Sequence, residues 1–296
     1  RATLVRLAGS DPGWVVASVL LLAVANVVSA ARWARIARGL GLRVADRAAV
    51  RLYFQGVALN TVLPGSMVGG DLWRAMGLQR AGQPLATCAS SVLLDRIGGV
   101  CALGAVAALA GIGASVAGGL SMVAPAVLAT YLAALAALGL LPVVPGLGGV
   151  AARLGRIASL ARPATLLAAV ATAQSLLRRT AAWSFGVQVL SIAAMFAAQR
   201  AVGGTLDPLV VAALCGGLFV AAALPLSIGG FGSREAAAAA LFAAVGAASE
   251  QGVAASVIYG LGQLSQALVV AMTTTFDAPS SSGNLRSGQS RTRIDP

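Results

Sequence analysis

The stretches PGSMVGGDLWR, residues 64–74, and PLSIGGFGSRE, residues 225–235, share an order of residue types suited to holding an anion. Each starts with Pro, has Ser two residues later and a Gly pair soon after, and ends in an acid and an Arg, whose order is reversed in the second copy. Proline and glycine interrupt the helical hydrogen-bond ladder, and the N–H groups exposed at the start of the following helix attract a negatively charged group such as a phosphate. The first copy supplies Pro64, Gly65, Ser66, Gly69, Gly70, Asp71 and Arg74 as candidate binding residues, with Asn60 just upstream. The second supplies Pro225, Ser227, Gly229, Gly230, Gly232, Arg234 and Glu235.

Asp95 and Arg96 join them because they sit between apolar neighbours in SSVLLDRIGGV. A charge at the centre of a bilayer costs about 2.5–3.5 kcal/mol even on the insertion scale, and pairing of the two with each other would reduce that cost. Two dispositions fit: an inward-facing pair, or side chains that reach back to the interface. Arg234 and Glu235 follow 26 uncharged residues and precede 14 more; Glu235 also suits the first turn of a helix starting at AAAAALFAAVG. Asn60, Gln188, Gln263 and Gln266 fall on apolar segments, where amides commonly bond between helices.

The elements that must position these residues are membrane helices. The 296-residue chain is 58% hydrophobic and 10% charged, with mean hydropathy +0.87, whereas soluble domains carry about a quarter charged residues. Its net charge is +12, carried by arginines in short groups between apolar runs. That pattern fits loops on the cytoplasmic side and argues against nucleic acid as a partner. Cys88, Cys101 and Cys215 lie in or beside apolar runs without CxxC spacing, and the chain has no His, so neither a metal site nor a cofactor is expected. A start at Arg with no signal pattern predicts a truncated or processed N-terminus and an upstream helix.

Expected spans are residues 13–30, 86–112, 121–141, 180–199, 209–226 and 252–276, with 236–246 leading outward. Residues 32–51, with six arginines against Asp46, read as a cytoplasmic loop. The apolar piece 52–63, at about 1.5 Å per residue, is too short to cross and predicts a re-entrant segment returning to Arg74 and Arg80. Residues 163–177 read as an interfacial segment, preceded by Arg153, Arg156 and Arg162 and followed by Arg178 and Arg179. The fold class is therefore all-α: a polytopic membrane helix bundle over residues 1–276 with two re-entrant or broken-helix segments forming an internal repeat, followed by a disordered polar cytoplasmic tail, 277–296. Ordinary surface loops would also contain Gly, Pro and Ser, but two similar copies beside short apolar segments favour functional breaks.

With RW at Arg32–Trp33, LNTVLPGSMVGGDLWR, SSVLLDRIGG and LPLSIGGFGSREAA taken together, the chain resembles the lysylphosphatidylglycerol synthase transmembrane-region family, also described as flippase-like membrane proteins. The resemblance extends to about Phe276. It implies movement of lipids between leaflets, including aminoacylated phospholipids, with a related branch linked to polyprenyl-phosphate sugars. Family chemistry resides in a separate soluble synthase domain, which nothing in these residues resembles, so a separately encoded lipid-modifying or glycosyltransferase partner is expected.

The leading expectation is a bacterial inner-membrane lipid translocator. Both breaks would floor a cavity open to the cytoplasmic leaflet, and amides near residues 69–70 and 229–230 with Arg74, Arg96 and Arg234 would hold an anionic or phosphate headgroup. Asp71, Asp95 and Glu235 would fix those arginines or contact a cationic aminoacyl group. The rival is an integral-membrane glycosyltransferase acting on polyprenyl-phosphate sugars, weakened by the lack of a DxD pair and of long outer loops. An ion or solute transporter and a structural partner of a synthase are further alternatives.

Overall fold

The computed structural model describes residues 2–62, 68–118, 161–223 and 230–273, with side chains in the third stretch described from residue 175 on. Pro64, Gly65, Ser66, Pro225, Ser227, Gly229, Arg153, Arg156, the expected helix 121–141 and the tail lie outside the described residues. After a short α1 (Ala2–Ala8), the described order is α2 (Pro12–Gly39), α3 (Asp46–Val62), α4 (Val68–Arg80), α5 (Leu85–Val116), α6 (Ala161–Ala201), α7 (Pro208–Ala223), α8 (Ser233–Ala244) and α9 (Ser249–Thr273). Among the described residues four helices are long and apolar enough to cross a membrane: α2, α5, α6 from Ser175, and α9. The protein is an all-α multi-pass membrane bundle.

Local chemistry explains the helix starts. Asp11 accepts from the N–H groups of Gly13 and Trp14 at 2.7 and 3.3 Å, and Pro12 follows it in the first turn of α2, where a missing N–H does no harm. Asp207 caps α7 through Leu209 N–H at 2.8 Å. The outer surfaces of the long helices carry Leu20, Leu93 and Val189, each more than half exposed, as a lipid-facing surface requires.

α2 and α6 pack antiparallel. The Asp11 N–H donates to the Ala201 carbonyl at 2.9 Å, the Ser18 hydroxyl donates to Ala194 at 2.9 Å, and Gly39 lies against Leu176. α9 runs parallel to α2, with Gly262 against Leu22 and Asn26 donating to Gln266 at 2.7 Å. α5 begins beside Arg43, whose N–H meets Gln83, and ends with Gly113 against Leu209 at the start of α7. Two units of the same order follow from these contacts: long helix, half-helix, half-helix, long helix, as α2–α5 and again as α6–α9. They run in opposite senses.

The pair α3/α4 therefore starts and ends at one face, where Arg35, Arg38, Arg43, Arg47 and Arg80 gather, and α7/α8 starts and ends at the opposite face. This corrects the expectation that both breaks approach the same side. A stretch of 18 apolar residues, 209–226, is long enough to be read as a span, but α8 turns back along α7, with Gly230 against Ala222. Two further expectations change. Residues 32–39 are helix rather than loop, and 163–177 continue without interruption into 180–199 within α6, because arginine is a good helix former and neither Gly nor Pro occurs between 164 and 185.

α3 and α4 meet at glycine. A Cβ on Gly70 would lie 2.0 Å from the Gly56 carbonyl oxygen, and one on Gly56 would lie 2.9 Å from that of Gly70. Asn60 accepts the Gly70 N–H at 2.7 Å, tying the two half-helices across the break. Gly70→Ala is expected to destabilise the protein by about 1–3 kcal/mol, the usual cost of overpacking, and to lower the temperature at which the purified protein loses its monodisperse elution. Gly186→Ala, at a position with open space around it, serves as the unaffected comparison.

Candidate functional site

The first hairpin carries a ladder of charges. Arg32 on α2 donates from Nε to Asp95 Oδ1 at 2.9 Å, and its Nη2 lies 2.8 Å from the same oxygen. Arg74 on α4 donates to the other oxygen of Asp95 at 3.0 Å and to Asp71 at 2.8 Å. Arg96 on α5 closes the ladder with a two-pronged contact to Asp71, at 2.8 Å from Nε and 2.6 Å from Nη2. The order is Arg32, Asp95, Arg74, Asp71, Arg96.

Asp95 and Arg96 do not pair with each other, which corrects the sequence expectation. Adjacent residues on a helix point about 100° apart, so Asp95 faces α2 and α4 while Arg96 faces the start of α4. Asp95 turns onto Arg32 and Arg74, and Arg96 onto Asp71. Asp95, Arg74 and Arg32 are 1, 2 and 4% exposed, whereas the Arg96 side chain keeps 34% of its surface accessible. Three arginines face two aspartates, so one positive charge is in excess, and Arg96 is the accessible end of the series. The Arg74 guanidinium also lies over the rings of Tyr53 and Trp33, 4.8 and 5.1 Å from their centroids.

The second hairpin repeats the device with one ion pair. Arg234, 1% exposed, donates to Glu235 at 3.1 Å, to Ser256 at 2.9 Å and to Gln263 at 3.3 Å. Ser256 in turn donates to Glu235 at 2.7 Å. Arg234 lies over Phe231 and Tyr259, at 5.3 and 5.5 Å, as Arg74 lies over its own two rings. Gly260 makes the room: a Cβ there would sit 2.2 Å from Arg234 Nη2. Glu235 accepts the N–H of Gly232, whose φ of +95° and that of Gly230, +81°, suit glycine alone.

Both hairpins line one cavity of about 230 Å³. Asn60, Arg74 and Arg96 reach it from the first unit and Arg234 from the second, with Asn26 of α2 and Gln263 of α9 completing the polar wall. Asp71, Asp95 and Glu235 stand behind the arginines and do not line it. Gly70 has a structural part here, since its N–H is taken by Asn60 and is not open to a ligand. Gly69 occupies the first turn of α4.

The family model for the lysylphosphatidylglycerol synthase TM region matches residues 1–271. The chain belongs to that family. No curated protein and no solved structure matches it. As a member of the lysylphosphatidylglycerol synthase TM-region family it is a multi-pass membrane protein of a group tied to lipid modification.

Within this member, sequence reasoning finds Arg74, Arg96 and Arg234 but assigns no role to Arg32, Tyr53, Ser256, Tyr259 or Gly260. Arg32 looks like one of a run of flanking arginines. The available signal is spacing: Ser18, Leu22, Ala25, Ser29, Arg32 and Ile36 recur every three or four residues on the buried face of α2, while Arg35 and Arg38 fall off it.

Proposed function

We propose that this protein moves an anionic phospholipid or polyprenyl-phosphate lipid between leaflets, with the headgroup in the cavity between the two hairpins and the acyl chains left in lipid. The observation that carries the reading is the excess positive charge of the ladder, placed at its accessible end on a cavity that both hairpins line. Guanidinium groups match a phosphate with paired N–H donors. Inverted units around a central polar site provide a route to alternating access, one unit rocking against the other.

In this reading α3/α4 and α7/α8 are re-entrant, entering from opposite sides. The arginine-rich face is cytoplasmic by the positive-inside rule, in a bacterial inner membrane, and the end of α9 delivers the tail to that side. A separately encoded lipid-modifying or glycosyltransferase enzyme would supply the lipid.

Vesicles containing purified protein and fluorescently labelled phosphatidylglycerol test it. Dithionite added outside is expected to bleach the inner-leaflet dye progressively in protein-containing vesicles. Bleaching that stops where it stops in protein-free vesicles would overturn the reading.

A further inference from the structure

Through residue 276 the chain contains seven acidic residues. Asp11, Asp46, Asp207 and Glu250 lie in the caps or first turns of α2, α3, α7 and α9. The other three, Asp71, Asp95 and Glu235, are each held by arginine. The two breaks add no ionisable side chain, since residues 63–67 are LPGSM and 224–229 are LPLSIG. The charged side chains lining the cavity among the described residues are Arg74, Arg96 and Arg234.

We propose that the cavity selects an anionic lipid whose headgroup beyond the phosphate is uncharged and hydroxyl-rich, a glycerol or a sugar, and disfavours lipids bearing an ammonium group. This rests on the translocation reading and names its substrate class. An ammonium entering the cavity meets arginines and finds every nearby carboxylate already paired, so it is desolvated without a partner. A hydroxyl-rich group meets neutral hydrogen-bonding side chains: Asn26, Asn60, Thr61 and Gln263 line the same space. Asn60 and Gln263 use their carbonyl oxygens on Gly70 N–H and Arg234, at 2.7 and 3.3 Å, which leaves their amide N–H groups as donors for a headgroup's oxygens. The phosphate falls to Arg96, at the accessible end of the ladder.

The same headgroup chemistry exists in a soluble phosphodiester, so the test carries both sources. Detergent-purified full chain is titrated with short-chain phosphatidylglycerol, phosphatidylethanolamine and lysylphosphatidylglycerol, and with deacylated glycerophosphoglycerol, while tryptophan fluorescence is followed. Phosphatidylglycerol is expected to bind at least about tenfold more tightly than either ammonium lipid. Asn60→Asp, which keeps the oxygen that accepts Gly70 N–H and adds a carboxylate to the wall, is expected to narrow that ratio. Equal or tighter binding of an ammonium lipid, or no binding of any lipid, overturns the proposal, whether or not the variant folds. Deacylated headgroup binding as tightly as the lipid would keep the headgroup chemistry and remove the lipid as its source. Selective lipid binding with no translocation in vesicles would remove the transport reading alone.

Discussion

Asp95→Asn is expected to lower stability by about 3–5 kcal/mol, the range for removing one partner of a buried ion pair. The side chain is 1% exposed and its two oxygens meet Arg32 and Arg74, so neutralising it leaves two buried guanidinium groups facing an amide that offsets neither charge. Asn has the same shape, so the loss is electrostatic rather than a cavity. The measurement is thermal loss of monodisperse elution together with the folded yield. Arg32→Met combined with Asp95→Asn should recover part of the loss, because the cation that depends on Asp95 for its charge partner is then gone, while Arg74 keeps Asp71 at 2.8 Å. A single variant that melts with the natural protein would show that the ladder is not a structural element.

The ladder also marks where the sequence is transparent and where it is not. Pro and Gly identify the breaks because few other residues interrupt an apolar helix, and the two copies are recognisable from their shared order of types. The orientation of the second copy is not recognisable. Residues 209–226 are apolar for a length that suits either a thin span or one arm of a hairpin, and only packing of α7 against α5 and α8 decides between them. Arg234 and Glu235, at the start of α8, do meet at 3.1 Å, whereas the mutual pairing expected of Asp95 and Arg96 fails because side chains adjacent in the middle of a helix point about 100° apart. Each finds a partner on another element, and the partners of Asp95 lie 63 and 21 residues away.

Arg32 belongs to the RW piece of the resemblance, but its part in the ladder is not legible, because a basic residue near a helix end reads as a topology signal. Its neighbours share the composition and not the role. Arg35 is exposed and stacks on Trp183 at 3.8 Å, and Arg38 meets Asp46 at the surface, whereas Arg32 is 4% exposed and serves Asp95. The inverted order of acid and Arg in the two motifs acquires a physical reading as well. In the first unit Asp71 precedes Arg74 by three residues, one helical turn, so both face α5; in the second, Arg234 and Glu235 are adjacent and meet both directly and through Ser256 of α9. The two units share an architecture while holding their arginines by different means.

Replacing Arg96 and Arg234 together by Ala is expected to cut the rate of lipid translocation by about a hundredfold or more. Hydrogen bonds to charged groups contribute about 1.5–3 kcal/mol each, and the pair removes the accessible charge of the first unit and the cavity-lining charge of the second. The readout is dithionite bleaching of labelled phosphatidylglycerol at matched protein density, with thermal elution run in parallel so that a folding defect is seen as such. Arg96→Lys separates charge from shape: it keeps a cation at the cavity but loses the fork that grips Asp71 at two points, and an intermediate rate is expected. Arg38→Ala, at an exposed pair worth about 0–1 kcal/mol, should leave the rate near that of the natural protein. Translocation unchanged in the folded double variant would sever the link between these arginines and the lipid.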